Sequence, residues 1–256
     1  KEEAEEEGDT PEETETSLAP WWENEEERKQ HPTWKWKTLS HNGVLFPPPY
    51  VPHGVKMKYD GKEVTLTPEQ EEAASFFARY LDTDHYKKPA FRKNFFNDFL
   101  KLLNPKGSKT KHIIQEFEKC DFTPIQRYLK EQQEKRKNRS KEEKQKEKEE
   151  KEKLKEKYGY AIVNGRREPI ANYMVEPPGL FLGRGDHPKV GCIKRRIMPE
   201  DITLNLDENA PIPPCPIPGH HWGEIVHNHE VRQLFFFARI SLIHINKSYV
   251  DYRLHG

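Results

Sequence analysis

The chain has 256 residues, 43 Lys+Arg balanced by 43 Asp+Glu, 33% hydrophobic and 34% charged residues, less apolar and more charged than an ordinary globular domain. That composition argues against one continuous core and for ordered lobes joined to solvated segments. No run of 18 apolar residues occurs, which excludes a membrane-spanning helix.

The neutral total conceals an asymmetry. Residues 1–27 carry 13 acids and one Lys, so the remainder has a surplus of 12 positive charges. An acidic, aromatic-poor start cannot bury enough surface to offset chain entropy, and residues 1–30 are expected to form a disordered tail. The basic remainder suits a polyanion, although a solvated surface with surplus Lys accounts for it as well. The chain starts at Lys1 rather than Met and reads as a piece of a longer protein, with any targeting signal outside it.

Trp34 and Trp36, with Trp21 and Trp22 before them, interleave with Lys. They could stack on bases, but clamping an arm onto a folded lobe is the preferred reading. The Pro-rich stretch Phe46–Pro52 reads as an extended connector. Alternating apolar residues on either side of Asp60-Gly61 predict a two-residue hairpin. Thr67-Pro68-Glu69-Gln70 opens a helix with Ala73, Phe76, Phe77, Tyr80 and Leu81 inward. A second helix follows Pro89 with Phe91, Phe95, Phe99, Leu102 and Leu103 inward, ending at Asn104-Pro105. A third is expected over Lys109–Lys119, burying Ile113, Ile114 and Phe117.

Residues 130–157 contain 22 charged residues in 28, with Leu154 the sole apolar one. Glu131–Lys135, Glu142–Lys146, Glu147–Lys151 and Glu149–Lys153 are spaced for i,i+4 pairing. Ser140 and Glu143 form a capping box, so the stretch should break near 139 and restart as a helix over 141–157 that projects into solvent. Asn164-Gly165 predicts a second hairpin. The cysteines Cys120, Cys192 and Cys215 are too far apart for a Cys-pair metal motif, and the Cys215, His220, His221, His227 and His229 group matches no zinc spacing. No metal or cofactor is expected.

The chemistry concentrates in Glu176–Ile202. Gly183 and Gly185 flank Arg184, so backbone can approach a ligand closely and the guanidinium can enter a narrow space. His187, Lys189, Lys194, Arg195 and Arg196 follow, with Asp186 the sole acid in 183–196. Gly-rich backbone with Arg and Lys is suited to phosphate oxygens, although a surface loop that binds no anion accounts for the same residues. A nucleotide P-loop is absent.

FRKNFFNDF (Phe91–Phe99), KCDFT (Lys119–Thr123), SKEEK (Ser140–Lys144), EPPGLF, and GRGDHPK through KRRIMPEDI together resemble eukaryotic DNA topoisomerase I, the type IB family. KWK…PPPY, the YDGK hairpin and PGHHW agree, and the resemblance covers about 34–230 in order. It implies an α+β fold: an antiparallel β lobe from discontinuous segments (34–54 and 158–230), a mainly helical lobe (55–139) and a protruding charged helix. Residues 31–230 would form a DNA-binding half of a clamp around duplex DNA. By motif, Arg184 would enter the minor groove near the cleavage site beside Asn172 and Glu176, where camptothecin-type inhibitors bind. Arg136, His187, Lys189, Lys194 and Arg195 would contact DNA. The family's cleaving tyrosine and its cationic partners would follow residue 256, so the chain is expected to lack catalytic residues; Tyr249 and Tyr252 lie outside the motif. The implied setting is a monomer on nuclear chromatin, with a nucleolar or mitochondrial form open. Two departures stand out. Leu182 replaces the family's usual Arg, and residues 231–256 read as an aberrant or truncated tail. The competing reading is a non-catalytic nucleic-acid- or chromatin-binding fragment.

Overall fold

A computed structural model describes residues 29–105, 112–229 and 243–245. The expected acidic tail lies outside the described residues, apart from its last positions, as does most of 231–256. The fold is α+β.

The first core is built on phenylalanine. Met57–Tyr59 (β2) and Lys62–Val64 (β3) form the hairpin expected at Asp60-Gly61, both of which adopt positive φ (50° and 76°), as a primed turn requires. β1, introduced earlier in the chain, is Leu39–His41. Helix α1 (Pro68–Ala78) starts where the sequence places it: Thr67 Oγ1 accepts from Gln70 N, and Gln70 Oε1 accepts from Thr67 N. A single turn, α2 (Asp84–Lys87), leads into α3 (Pro89–Leu103). Phe77 of α1 stacks on Phe95 of α3 at 4.1 Å, and Phe91, Phe95 and Phe99 are fully buried. Each such ring contributes about 1.5–3 kcal/mol through burial, which makes this stripe the anchor of the helical lobe.

The third expected helix does not form in its described part. Residues 112–116 are irregular and only Phe117–Lys119 makes a 3₁₀ turn, with Ile113 63% exposed and Ile114 buried. The reason is competition for backbone donors. Asn104 Oδ1 accepts from His112 N, His112 Nδ1 from Ile114 N, and Tyr59 Oη from Gln115 N and Glu116 N. Those amides are therefore taken by side chains rather than by carbonyls one turn back. Cys120–Asp121 (β4) then pairs with β2.

Helix α4 (Thr123–Lys137) and helix α5 (Lys141–Tyr158) meet at the predicted break, and the Ser140–Glu143 capping box closes in both directions. Nearly every side chain on α5 is exposed before Tyr158. Glu131–Lys135 and Glu147–Lys151 pair as expected, at 2.6 and 3.0 Å, whereas Glu149 accepts from Gln145.

The second hairpin, Tyr160–Val163 (β5) and Arg166–Pro169 (β6), turns at Asn164-Gly165 with φ of 51° and 76°, and β1 adds antiparallel to β5. Asn164 Oδ1 accepts from Lys37 N and Thr38 N, fastening the incoming chain to the turn. Trp36 is buried beneath this sheet, and the His229 ring stacks on Trp34 at 4.1 Å, so these two indoles clamp their segment to the lobe. Trp21 and Trp22 lie outside the described residues.

Gly179–Leu180 (β7) pairs with Ile193–Lys194 (β8), and Leu180 and Val190 are buried in the phenylalanine core. This part of the later segment thus packs on the helical lobe. Ile202–Asn205 (β9) departs from the antiparallel expectation: Glu224–Val226 (β10) pairs with it in parallel, and Ile243–Ile245 (β11) antiparallel. Parallel pairing needs a crossover of a dozen or more residues, and the Pro-rich stretch 206–223 supplies it. No helix among the described residues is long and apolar enough to cross a membrane.

A basic loop as candidate nucleic-acid interface

Residues 181–192 form a loop closed at its base by paired backbone. Phe181 N donates to Cys192 O at 2.9 Å and Gly191 N to Phe181 O at 2.7 Å. Within it, Gly183 and Gly185 have φ of 55° and 58°, the left-handed region that glycine adopts without strain. A Cβ on Gly183 would also sit 2.7 Å from His187 Cβ, so that position is restricted twice. Arg184 between them is exposed and makes no hydrogen bond or ion pair among the described residues.

The loop is held from beneath by α3. Lys88 Nζ donates to Gly185 O at 2.6 Å and lies 3.7 Å from Asp186. Asn94 Nδ2 donates to both Pro188 O and Val190 O, at 2.7 and 2.8 Å. Asp98 accepts from Ile193 N at 3.0 Å. Gly191 runs so close to the Phe91 backbone that a Cβ there would collide with it. None of these anchors is apparent from the sequence around Arg184, because they lie 86 to 96 positions earlier.

Most of the other cations are already paired. Lys194 lies 2.8 Å from Glu176, so these two expected site residues do meet. Arg195 makes a bidentate pair with Asp201 at 2.7 and 2.8 Å, which holds the Asp201 carboxyl below its usual range. Arg196 donates to Glu72 at 2.7 Å and to Pro48 O at 3.0 Å, joining the connector to α1. His187 Nδ1 accepts from Lys189 N, and its ring packs edge-on against Phe181 at 4.8 Å. Asn172 is exposed and accepts from Met174 N. Arg136 lies apart, at the end of α4, where Glu147 of α5 faces Arg136, Arg139 and Lys151 at 3.0–3.3 Å. Lys151 is the chief cause of the lowered Glu147 carboxyl.

The His group after Cys215 disperses rather than converging. His220 and His221 face Glu200, His227 reaches Leu206 O, and His229 reaches Trp36 O. Leu182, the position where Arg is usual in the resembled family, is partly buried against the phenylalanine core.

The family described as "Eukaryotic DNA topoisomerase I, DNA binding fragment" matches residues 34–251. The chain belongs to this family. It is 53% identical over 204 residues to DNA topoisomerase 1 beta of Arabidopsis thaliana, an overlap covering 80% of this chain and 22% of that protein. To DNA topoisomerase 1 of Schizosaccharomyces pombe it is 52% identical over 216 residues, covering 84% and 26%. To human DNA topoisomerase 1 it is 47% identical over 202 residues, covering 78% and 26%. The chain thus spans about a quarter of the length of these curated relatives. The topoisomerase I family is a family of enzymes, and the loop around Arg184 lies well inside the matched region.

Proposed function

We propose that this chain is the DNA-binding clamp half of a type IB topoisomerase, gripping duplex DNA through phosphates and the minor groove with little sequence preference. One observation carries the reading: among the cations expected to touch DNA, Arg184 stands exposed between two left-handed glycines without an acid partner among the described residues. A guanidinium so presented can enter a narrow groove. Asn172 and Glu176 would flank it near the cleavage site, and His187, Lys189, Lys194, Arg195 and Arg136 would follow the backbone. The whole enzyme would relax supercoils without ATP through a phosphotyrosyl intermediate, acting as a monomer on nuclear chromatin. Its tyrosine and cationic partners would come from sequence beyond this chain.

The test is duplex binding by the 256-residue chain across a salt series. Half a clamp should bind with a dissociation constant of about 10⁻⁴–10⁻⁶ M at physiological salt, falling in affinity with a log–log slope near 0.9 per phosphate contacted. Arg184→Ala should weaken it at every salt concentration. No binding at low salt, or salt-independent binding, would reject the reading. Relaxation of supercoiled plasmid by the pure chain, persisting in a Tyr249→Phe/Tyr252→Phe variant, would show that the cleavage chemistry had been placed wrongly.

A further inference from the structure

Lys88 occupies an odd place. It is the N-cap of α3, where Ser, Thr, Asp or Asn would satisfy an open backbone amide, and its side chain makes no capping hydrogen bond. A cation there also opposes the helix dipole, and the first turn of α3 contains no acid to compensate. As the N-cap of α3, Lys88 is thus unfavourable, and its second role as C-cap of the single-turn α2, where a cation is welcome, returns little because so short a helix has a small dipole. A residue that breaks a local rule is best explained by a gain elsewhere, and here the gain is visible: the Nζ reaches 97 residues along the chain to Gly185 O at 2.6 Å, with Asp186 at 3.7 Å.

The contact matters because of where Gly185 lies. It follows Arg184 at φ 58°, and nothing lies within 4 Å of where its Cβ would be, so packing does not hold this corner of the loop. Asn94 secures the descending limb at Pro188 and Val190. Lys88 secures the apex, and a charge-assisted hydrogen bond to a carbonyl is stronger than a neutral one.

We propose that Lys88 is a positioning residue: it fixes the Gly183–Arg184–Gly185 apex so that the Arg184 guanidinium is presented to DNA in one orientation. This rests on the reading of Arg184 as a DNA contact. Preorganising the apex removes an ordering cost that each binding event would otherwise incur.

The experiment is a double-mutant cycle in the 256-residue chain, with a short DNA duplex as probe and hydrogen exchange of a peptide spanning 183–192 as a second readout. Lys88→Met keeps the aliphatic stem and removes the ammonium. It should weaken binding by about threefold to tenfold, the size of one lost hydrogen-bonded interaction, and raise exchange in the loop. Combined with Arg184→Ala it should add nothing further, because it acts through Arg184. Lys88→Arg should restore most of the affinity. Additive losses would mean that Lys88 contacts DNA itself, and unchanged loop exchange would mean that it holds nothing; either result overturns the proposal. Raised exchange with Arg184→Ala binding as wild type would leave the anchor standing and refute the DNA role of Arg184.

Discussion

The ammonium of Lys194 lies 2.8 Å from the carboxylate of Glu176, so a cation expected to meet phosphate already has an anion beside it. Both side chains are partly sheltered, at 18% and 32% exposure, which limits screening of the pair by salt. Any phosphate recruited by Lys194 must share it with Glu176 or displace that carboxylate. Glu176→Gln should therefore tighten duplex binding at low salt by about threefold, and the gain should fade as salt rises. A fluorescence-anisotropy salt series checks this; weaker binding in Glu176→Gln would show that the carboxylate orients Lys194 instead of competing for it.

Arg196 should prove structural despite its place in the basic run. Its guanidinium donates to Glu72 and to Pro48 O, and Glu72 is 16% exposed. Arg196→Ala leaves a sheltered carboxylate and a carbonyl without that donor, which costs about 1–3 kcal/mol. The urea midpoint should fall accordingly, while the slope of binding against salt stays unchanged.

The glycines of the loop should differ in cost. Gly185→Ala meets no neighbouring atom but must hold φ near 58°, at about 1–2 kcal/mol. Gly183→Ala adds a contact with His187, and Gly191→Ala drives a methyl into the Phe91 backbone. The expected order of thermal stability is Gly185→Ala above Gly183→Ala above Gly191→Ala. Equal melting temperatures would mean that the loop shifts freely away from α3.

Stability should also fall in mild acid. His41 is 8% exposed, and burial pushes its pKa below the ordinary value. Its Nδ1 accepts from Gly43 N and its Nε2 faces Asn205 O, an arrangement that suits the neutral ring. His53 is lowered too, chiefly by burial and against the pull of Glu71. In the unfolded chain both rings titrate near 6.5, so below that pH the unfolded state binds more protons. Their stabilising contribution is complete above about pH 7 and is lost as pH falls through the folded values. Urea midpoints measured from about pH 7.5 to 5 should decline, and His41→Asn should flatten the decline.

Elements whose signals are local are legible in the amino-acid sequence. The Asp60-Gly61 and Asn164-Gly165 turns, the Thr67 and Ser140 capping boxes and the Phe91–Phe95–Phe99 stripe form as read, because each depends on residues within a few positions. The sequence also marked Gly183-Arg184-Gly185 as unusual, since flanking glycines permit a conformation that other residues resist. The helix expected over 109–119 failed in its described part because Tyr59, more than 50 positions away, captures two of its amides.

Which charges remain available is a property of the folded chain alone. Read along the chain, 183–196 contains one acid and looks uniformly basic. In space, Glu72, Glu176 and Asp201 meet Arg196, Lys194 and Arg195, while Lys88 and Asn94 hold the loop on which Arg184 is presented. Ion pairs act over a few ångströms and ignore sequence separation, so a run of basic residues records how many cations there are, and the fold determines which of them can still meet a phosphate.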